Sequence, residues 1–274
     1  MRTIKIALIV IILLVFFLQN KNIPTLKTTV TNSLAGSKGT YGVYIKNLKT
    51  EENYVLNGDR VFEPGSLYKL WVMGAVFEKI KNGDLKEDEV LTQKIDILNQ
   101  KFEIASSEAE LTGGTIEMTV KNALEQMISI SHNYAALLLT ENVGVSKIEA
   151  FLKQNGFKSN VGSVLETTAS DIGLFLEKLY KGELVSKNAS LQMIEILKKQ
   201  KLNDGLPKNL PADVKIAHKT GDIGWFKHDG GIVFAPRGDY IIVIMSESNS
   251  PLGAQERITN ISKAVYDYFA KSNE

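Results

Sequence analysis

The chain has 274 residues, of which 44% are hydrophobic and 23% charged, and its formal net charge is +1. This composition is typical of a globular protein with a sizeable core, and the near-neutral charge gives no basis for nucleic-acid binding. The absence of cysteine excludes disulfides, thiol catalysis and thiolate metal sites. The three histidines, His132, His218 and His228, lack the i, i+4 spacing of a helical metal site, so we expect no metal and no cofactor.

The N-terminal residues 1–20 predict a targeting segment. Arg2 and Lys5 precede an unbroken apolar run of 13 residues, Ile6 to Leu18. This run fits the hydrophobic region of a secretory signal. No small-residue cleavage site follows closely, so an uncleaved signal anchor is favoured over a removed signal peptide. The basic residues keep the N-terminus cytoplasmic. We therefore expect an extracytoplasmic protein anchored to the bacterial cell membrane, or a secreted one if the segment is cleaved.

The remaining sequence divides into a polar stretch over residues 21–38, predicted to be a tether, and a domain over residues 39–274. Alternation over residues 40–49 and 52–56 indicates a β-hairpin. Helices are predicted over residues 66–82, 119–130, 133–143, 146–155, 169–181 and 187–200. Strands are predicted over residues 214–220, 231–235 and 240–246, followed by an amphipathic helix over residues 258–269.

Strands at both ends with helices between them favour one antiparallel sheet built from both termini, flanked by N- and C-terminal helices. The predicted fold class is α/β plus α. Its sheet lobe covers about residues 39–65 and 205–274, and an inserted all-helical lobe covers about residues 66–204. A cleft between the lobes is the expected ligand site.

Ser66-Leu67-Tyr68-Lys69 is the first of three short motifs that could carry chemistry. At a helix start, unpaired backbone amides favour an oxyanion at Ser66, and Lys69 lies three residues on, over the same face. A lysine becomes a base for a serine hydroxyl where burial and nearby positive charge lower its pKa. The alternative is a capping serine with a surface lysine, which fits poorly on a helix that is apolar on almost every side.

Ser131-His132-Asn133 falls between two predicted helices. In the functional interpretation, Ser131 passes a proton to a leaving nitrogen and the Asn133 amide holds the peptide group of a substrate. In the structural alternative, Ser131 and Asn133 are helix caps, for which both residue types are common. Both interpretations stay open from this motif alone.

Lys219-Thr220-Gly221 ends a predicted strand. Functionally, Lys219 adds positive charge, Thr220 binds a substrate carboxylate and Gly221 lets a substrate pair with the strand edge. The backbone amide of Asp222 would form an oxyanion hole with that of Ser66. Alternatively, the motif is a basic strand end before a turn. A Ser-His-Asp triad is a rival catalytic scheme, but the sequence has no Gly-x-Ser-x-Gly elbow.

In this order, the three motifs resemble those of the class A β-lactamase and penicillin-binding-protein superfamily, which are active-site serine hydrolases. Matching stretches also include Val61-Phe62-Glu63-Pro64-Gly65, Ser129-Ile130, Thr167-Thr168-Ala169, Ala217-His218 and His228-Asp229-Gly230-Gly231-Ile232-Val233. The resemblance covers roughly residues 40–270 and implies the two-lobe fold of that superfamily. It assigns the roles given above to Ser66, Lys69, Ser131, Asn133, Lys219 and Thr220.

Two departures from the superfamily pattern bear on the reaction. His132 stands where class A β-lactamases usually have Asp. Between Gly156 and Thr167, those enzymes carry a longer loop with a Glu-x-x-Leu-Asn element, whose Glu activates the deacylating water. Here Glu166 directly precedes Thr167-Thr168 and no Leu-Asn follows. We interpret Glu166 as a helix-start acid and the deacylating loop as deleted.

The missing loop predicts acylation by β-lactams without fast release, since general-base activation of water speeds such a step by about 10²–10⁴-fold. The leading hypothesis is a membrane-anchored DD-peptidase-like hydrolase of cell-wall peptides ending in D-Ala-D-Ala. The alternatives are a divergent β-lactamase that uses another residue for water, and a non-catalytic penicillin sensor or wall-synthesis partner. The expected partners are a cell-wall peptide or β-lactam and the cytoplasmic membrane, and the protein is expected to be a monomer that binds no nucleic acid.

Overall fold

The computed structural model describes residues 24–162 and 164–271, so the predicted signal segment lies outside the described residues. The helices are α1 (Leu26–Leu34), α2 (Lys69–Asn82), α3 (Ile95–Lys101), α4 (Val120–Ser129), α5 (Asn133–Val143), α6 (Val145–Gln154), α7 (Ala169–Lys181), α8 (Lys187–Leu197) and α9 (Pro251–Lys271). The strands are β1 (Thr40–Asn47), β2 (Asn53–Leu56), β3 (Val90–Lys94), β4 (Thr115–Thr119), β5 (Lys215–Ile223), β6 (Phe226–Phe234) and β7 (Tyr240–Glu247). In the part of the chain so described, no helix is long and apolar enough to cross a bilayer.

A five-stranded antiparallel sheet joins the two ends of the domain in the order β2-β1-β7-β6-β5. Its centre pairs β1 with β7, opposing Val43 to Ile244, so the strand nearest the N-terminus lies beside the last strand of the chain. This confirms the predicted sheet and its fold class. β5 is an edge strand, which leaves one side of its backbone for other partners.

Helices α1 and α9 cover one face of the sheet. The buried residues of α9, Ile258, Ile261, Val265 and Phe269, recur at helical spacing and pack with the inward residues of β1 and β7. At about 25 cal/mol per Å² of apolar surface removed from water, such side chains each contribute on the order of 2 kcal/mol. The C-terminal helix is therefore an integral part of the core, as the sequence predicted.

The prediction of a tether over residues 21–38 is wrong for its middle part, where α1 forms. Thr25 caps this helix by accepting from the backbone of Thr28, and Thr28 returns the bond to Thr25. Leu26 and Val30, one turn apart, are buried against α9. Polar threonines and an asparagine on the outer face obscure this apolar stripe in the sequence.

The second lobe surrounds α2, whose residues from Lys69 to Phe77 are all buried. It packs against α5, α6 and α8, and Gly74 allows the close approach of the Phe151 ring. The lobe is not all-helical, since β3 and β4 form a two-stranded antiparallel sheet with Leu91 opposite Met118. Short strands with only one buried residue each carry a weak alternating pattern, so the sequence did not reveal them.

Candidate active site

The predicted nucleophile lies in a tight turn at the junction of the two lobes. Gly65–Tyr68 forms a 3-10 turn, and α2 begins only at Lys69, so Ser66 precedes the α-helix instead of opening it. Gly65 has φ +48, a conformation that favours glycine, and a Cβ atom there would lie 2.9 Å from the backbone nitrogen of Asp222. The absence of a side chain at residue 65 therefore lets the turn approach β5.

Lys69 points from the first turn of α2 into the interface between the lobes, where its side chain is fully buried. Its Nζ donates to the backbone oxygen of Ser131 at 2.6 Å, to Ser131 Oγ at 3.1 Å and to Asn133 Oδ1 at 2.6 Å. Within the described residues, none of its hydrogen bonds reaches the Ser66 hydroxyl. The lysine is thus held by the second motif, one helical turn from the serine.

The connection between α4 and α5 presents Ser131 to this lysine. Ser131 has φ +59, a left-handed conformation that is rare for a residue with a side chain and is enriched at functional sites. His132 caps α5, since its Nδ1 accepts from the backbone nitrogen of Ala135 at 3.2 Å. An aspartate would cap this helix by the same geometry. His132 departs from the superfamily pattern but still caps α5, so the connection between α4 and α5 is preserved.

Lys219 approaches the same hydroxyl from the sheet. It is fully buried on β5, and its Nζ donates to Ser131 Oγ at 3.0 Å and to the backbone oxygen of Thr220 at 2.9 Å. Ser131 Oγ is therefore the point where Lys69 and Lys219 meet. The structure brings together the first residues of the second and third motifs, 88 positions apart in sequence.

Burial of both amines changes their acidity. Desolvation lowers the pKa of Lys69 to about 8, against a smaller upward effect of the Glu110 carboxylate. Desolvation and repulsion from Lys69 lower the pKa of Lys219 to about 7, against attraction to Asp229. Each lysine can thus exist as a neutral amine near neutral pH, which is the condition for a lysine to accept a proton.

The edge strand β5 supplies the remaining predicted residues. A Cβ atom on Gly221 would lie 2.4 Å from the backbone oxygen of Pro64, so this glycine is required by the contact with the Ser66 turn. Asp222 pairs its exposed carboxylate with Lys227, away from the cleft. Thr220 is half-buried, and its side chain forms no hydrogen bond within the described residues. Its hydroxyl is therefore available to a ligand.

His228 supports this arrangement, although the sequence analysis assigned it no role. His228 Nε2 donates to the backbone oxygen of Glu63 at 2.8 Å, while Ser246 donates its backbone N–H to Nδ1 at 3.1 Å. Burial lowers the pKa of His228 to about 4, which keeps the ring neutral in this pair of bonds. The ring thereby fixes the backbone three residues before Ser66. The only sequence signal for His228 was its place in a stretch that resembles the superfamily.

A buried pair lies behind Lys219. His218 Nδ1 lies 2.9 Å from Asp229 Oδ1, and Asp229 Oδ2 accepts from the backbone of Leu206 at 2.8 Å. The carboxylate is thus held by two partners on neighbouring segments. Its negative charge opposes the lowering of the Lys219 pKa.

In the described part of the segment between α6 and α7, no carboxylate contacts either lysine. Asp171 faces this segment, accepting at Oδ2 from the backbone of Lys158 and from the backbone and hydroxyl of Ser159. Glu166 is exposed in a short bridge with Asn160, and it lies two residues before the Thr168 cap of α7, not in the helix. The interpretation of Glu166 as a helix-start acid is wrong in this detail, because the bridge ends before the helix begins.

Glu110 is the functional candidate that sequence reasoning missed. It lies between α3 and β4, and its Oε1 accepts from Asn133 Nδ2 at 2.5 Å. No motif or periodicity marks this residue, because it belongs to an irregular segment far from the motifs in sequence.

Residues 25–269, which include the serine, the two lysines and the edge strand, match the family model of the beta-lactamase enzyme family. The chain belongs to that family. As a member it is a serine hydrolase, and this confirms the predicted superfamily and enzyme class. No curated protein matches the chain.

Solved structures similar to this family member include both β-lactamases and a penicillin-binding protein. A beta-lactamase from Sphaerobacter thermophilus is 23% identical, with 89% of this chain and 97% of that chain covered and a TM-score of 0.78. PBP-A is 25% identical, with coverages of 90% and 96% and a TM-score of 0.78. TLA-3 extended-spectrum beta-lactamase is 22% identical, with coverages of 91% and 100% and a TM-score of 0.78. A second structure of PBP-A is an acyl-enzyme complex of a variant with penicillin G.

Proposed function

We propose that this beta-lactamase family member is a DD-peptidase-like hydrolase that forms an acyl intermediate on Ser66. The observation that carries the proposal is the meeting of Lys69 and Lys219 on Ser131 Oγ, at 3.1 and 3.0 Å. This arrangement links a potential base beside the nucleophile to a potential acid for the leaving group. It is supported by the lowered pKa values of both lysines.

Acylation in this site proceeds through a series of proton transfers. The neutral amine of Lys69 takes the Ser66 proton as Ser66 Oγ attacks the substrate carbonyl carbon. The oxyanion is stabilised by the backbone amides of Ser66 and Asp222. As the C–N bond breaks, Ser131 protonates the leaving nitrogen and regains a proton from the Lys219 ammonium. Lys219 is reprotonated from solvent once the amine product has left.

The cleft residues support this substrate class. Thr220 has an unengaged hydroxyl next to the Lys219 charge, which suits a terminal carboxylate. Asn133 is the proposed partner for the substrate amide, and Gly221 lies on an edge strand that an extended peptide can join. A peptide ending in D-Ala-D-Ala and a β-lactam both carry such a carboxylate next to the reacting amide. The acyl-enzyme of PBP-A with penicillin G supports β-lactams as acylating agents.

The preference for the peptide rests on the segment between α6 and α7, whose described residues place no acid against Lys69. After attack on a peptide, the leaving D-alanine diffuses away and exposes the ester to water. After attack on a β-lactam, the leaving nitrogen remains attached to the acyl group and stays near the ester. We therefore propose that the peptidyl ester is hydrolysed faster than the penicilloyl ester. The site is proposed to face the cell wall, as the predicted signal segment implies.

Release of D-alanine from an N-acylated D-Ala-D-Ala peptide by the purified full-length protein tests this function. We expect release by the wild type and none above background by Ser66→Ala. Release at equal rates by both proteins would reject the proposal. Turnover of a chromogenic cephalosporin faster than that of the peptide would instead favour the second candidate, a divergent β-lactamase. The specific observation in favour of that candidate is the Glu110 carboxylate next to Asn133.

A further inference from the structure

A carboxylate is connected to the catalytic lysine by a side-chain amide. Asn133 Nδ2 donates to Glu110 Oε1 at 2.5 Å, and Asn133 Oδ1 accepts from Lys69 Nζ at 2.6 Å. The orientation of the amide is fixed by its partners, because an ammonium can only donate and a carboxylate can only accept. Asn133 thus holds Glu110 at a set distance from the amine beside Ser66.

Glu110 borders a recess of about 190 Å³ next to the Ser66 turn. Its walls include Tyr68, Ile104, Tyr134 and Leu137. Tyr68 is the last residue of the turn that carries Ser66, and its ring centre lies 6.0 Å from Lys69 Nζ. The recess therefore adjoins the turn that carries Ser66, and it has room for several water molecules.

The buried carboxylates near the site are engaged elsewhere, and Glu108, which also borders the recess, makes no hydrogen bond to the lysine cluster within the described residues. Asp229 is buried behind Lys219 and bonded to His218 and the backbone of Leu206. Asp171 binds the segment between α6 and α7. Among the described residues, Glu110 is the carboxylate that hydrogen-bonds to the cluster of Lys69, Ser131 and Asn133.

We propose that Glu110 is the general base for deacylation and takes a proton from a water molecule held in this recess. The inference rests on the proposed acyl intermediate on Ser66 and adds the residue that releases it. The water oxygen bonds to the ester carbonyl carbon while its proton goes to Glu110. The intermediate then collapses, the bond from carbon to Ser66 Oγ breaks, and Ser66 takes a proton from the Lys69 ammonium formed during acylation. Glu110 is exposed and loses its proton to solvent.

The family's usual base comes from the segment that is short in this chain, whereas Glu110 comes from the opposite connection, between α3 and β4. Its hydrogen bond to Asn133 links Glu110 to the amine of Lys69. The two substrate esters share the reacting carbonyl, so Glu110 serves in the release of either. Its contribution is separate from acylation, which uses Ser66, Lys69 and Ser131.

The experiment isolates the release step. The purified full-length protein is pulsed with penicillin G, excess drug is removed, and loss of the Ser66 adduct is followed by intact mass. We expect Glu110→Gln to acylate at least as fast as the wild type, because loss of its charge lowers the pKa of Lys69 further, and to release the adduct more slowly by a factor on the order of 10². The matched control is Glu103→Gln, which removes an exposed carboxylate from the same connection between α3 and β4 but outside the recess. This variant is expected to release the adduct at the wild-type rate.

A second measurement separates a base from a residue that only shapes the site. Neutral hydroxylamine attacks an ester without needing a carboxylate base, so it should release the adduct from Glu110→Gln as fast as from the wild type. Three results for Glu110→Gln would overturn the proposal: release into water at the wild-type rate, slowing no greater than that in Glu103→Gln, or release by hydroxylamine that is slowed as much as release by water. Faster acylation of Glu110→Gln with unchanged release would also overturn it and would make Glu110 an occupant of the substrate subsite. Absence of any adduct in the wild type would refute the proposed function itself, and this inference with it.

Discussion

Lys69 and Lys219 both donate to one hydroxyl oxygen, Ser131 Oγ, although one lies on a helix of the inserted lobe and the other on the edge strand of the sheet. Two fully buried cations around one oxygen repel each other, and this repulsion is part of what lowers the pKa of Lys219. The two amines have similar pKa values, so a single proton can reside on either of them. It also makes the relative position of the two lobes part of the chemistry.

The pH dependence of acylation tests this proton arrangement. Lys69 must be neutral, which is favoured as pH rises through about 8, and Lys219 must be charged, which is lost as pH rises through about 7. We expect a bell-shaped rate of penicillin adduct formation with a maximum between these values, whose two apparent pKa values belong to the coupled pair. In Lys219→Arg, which stays charged, the fall on the alkaline side should disappear. A wild-type rate that does not change with pH would contradict the assignment.

Removal of the Lys219 amine should stabilise the protein and abolish its reaction. Burial without an adjacent carboxylate contact opposes the charged form of this lysine, as its lowered pKa indicates. Lys219→Met keeps a similar apolar stem, and we expect the free energy of unfolding in urea to rise by about 1–4 kcal/mol while no penicillin adduct forms. Destabilisation with retained acylation would show that Lys219 is structural.

The sequence predicted the motif residues of the site because each motif combines chemistry with a local structural signal. Ser66 follows a proline and a glycine before an apolar helix, and Lys219 ends a strand. The site geometry could not be predicted, because it depends on long-range packing. Ser131 adopts a left-handed conformation to reach Lys69, 62 residues away, and no local pattern specifies that contact.

Glu110 and the position of helix α1, inside the predicted tether, were missed for different physical reasons. Glu110 acquires a role only through its hydrogen bond to Asn133, 23 positions away, and it lies in a segment without periodicity. Helix α1 has an apolar stripe of only Leu26, Val30 and Leu34, and its stability comes from packing against α9 at the other end of the chain. Segments whose structure depends on a distant partner carry little local signal.

The close approach of the Ser66 turn to β5 predicts a specific cost for a methyl group at Gly65. In Gly65→Ala, the new Cβ would lie 2.9 Å from Asp222 N, so the strand or the turn must move. We expect acylation to fall by a factor on the order of 10², because an oxyanion donor is displaced. Gly83→Ala is the matched control, since φ there is +81 and no atom lies within 4 Å of the new Cβ. It should cost about 1–2 kcal/mol of stability from backbone strain and leave acylation unchanged; a similar loss of acylation in both variants would refute the proposed contact.

The buried His228 ring should make the free energy of unfolding depend on pH in the acid range. Its pKa falls from 6.5 in the unfolded chain to about 4 in the folded protein, so the unfolded state binds more protons between these values. Stability therefore decreases as pH falls through this window, by about 3 kcal/mol at pH 4, because a protonated Nδ1 cannot accept from Ser246. In His228→Gln, which does not titrate, the loss of unfolding free energy between pH 7 and pH 4 should be smaller by that amount. Urea unfolding of both proteins at the two pH values measures the difference, and equal losses would show that His228 is protonated in the folded state without cost.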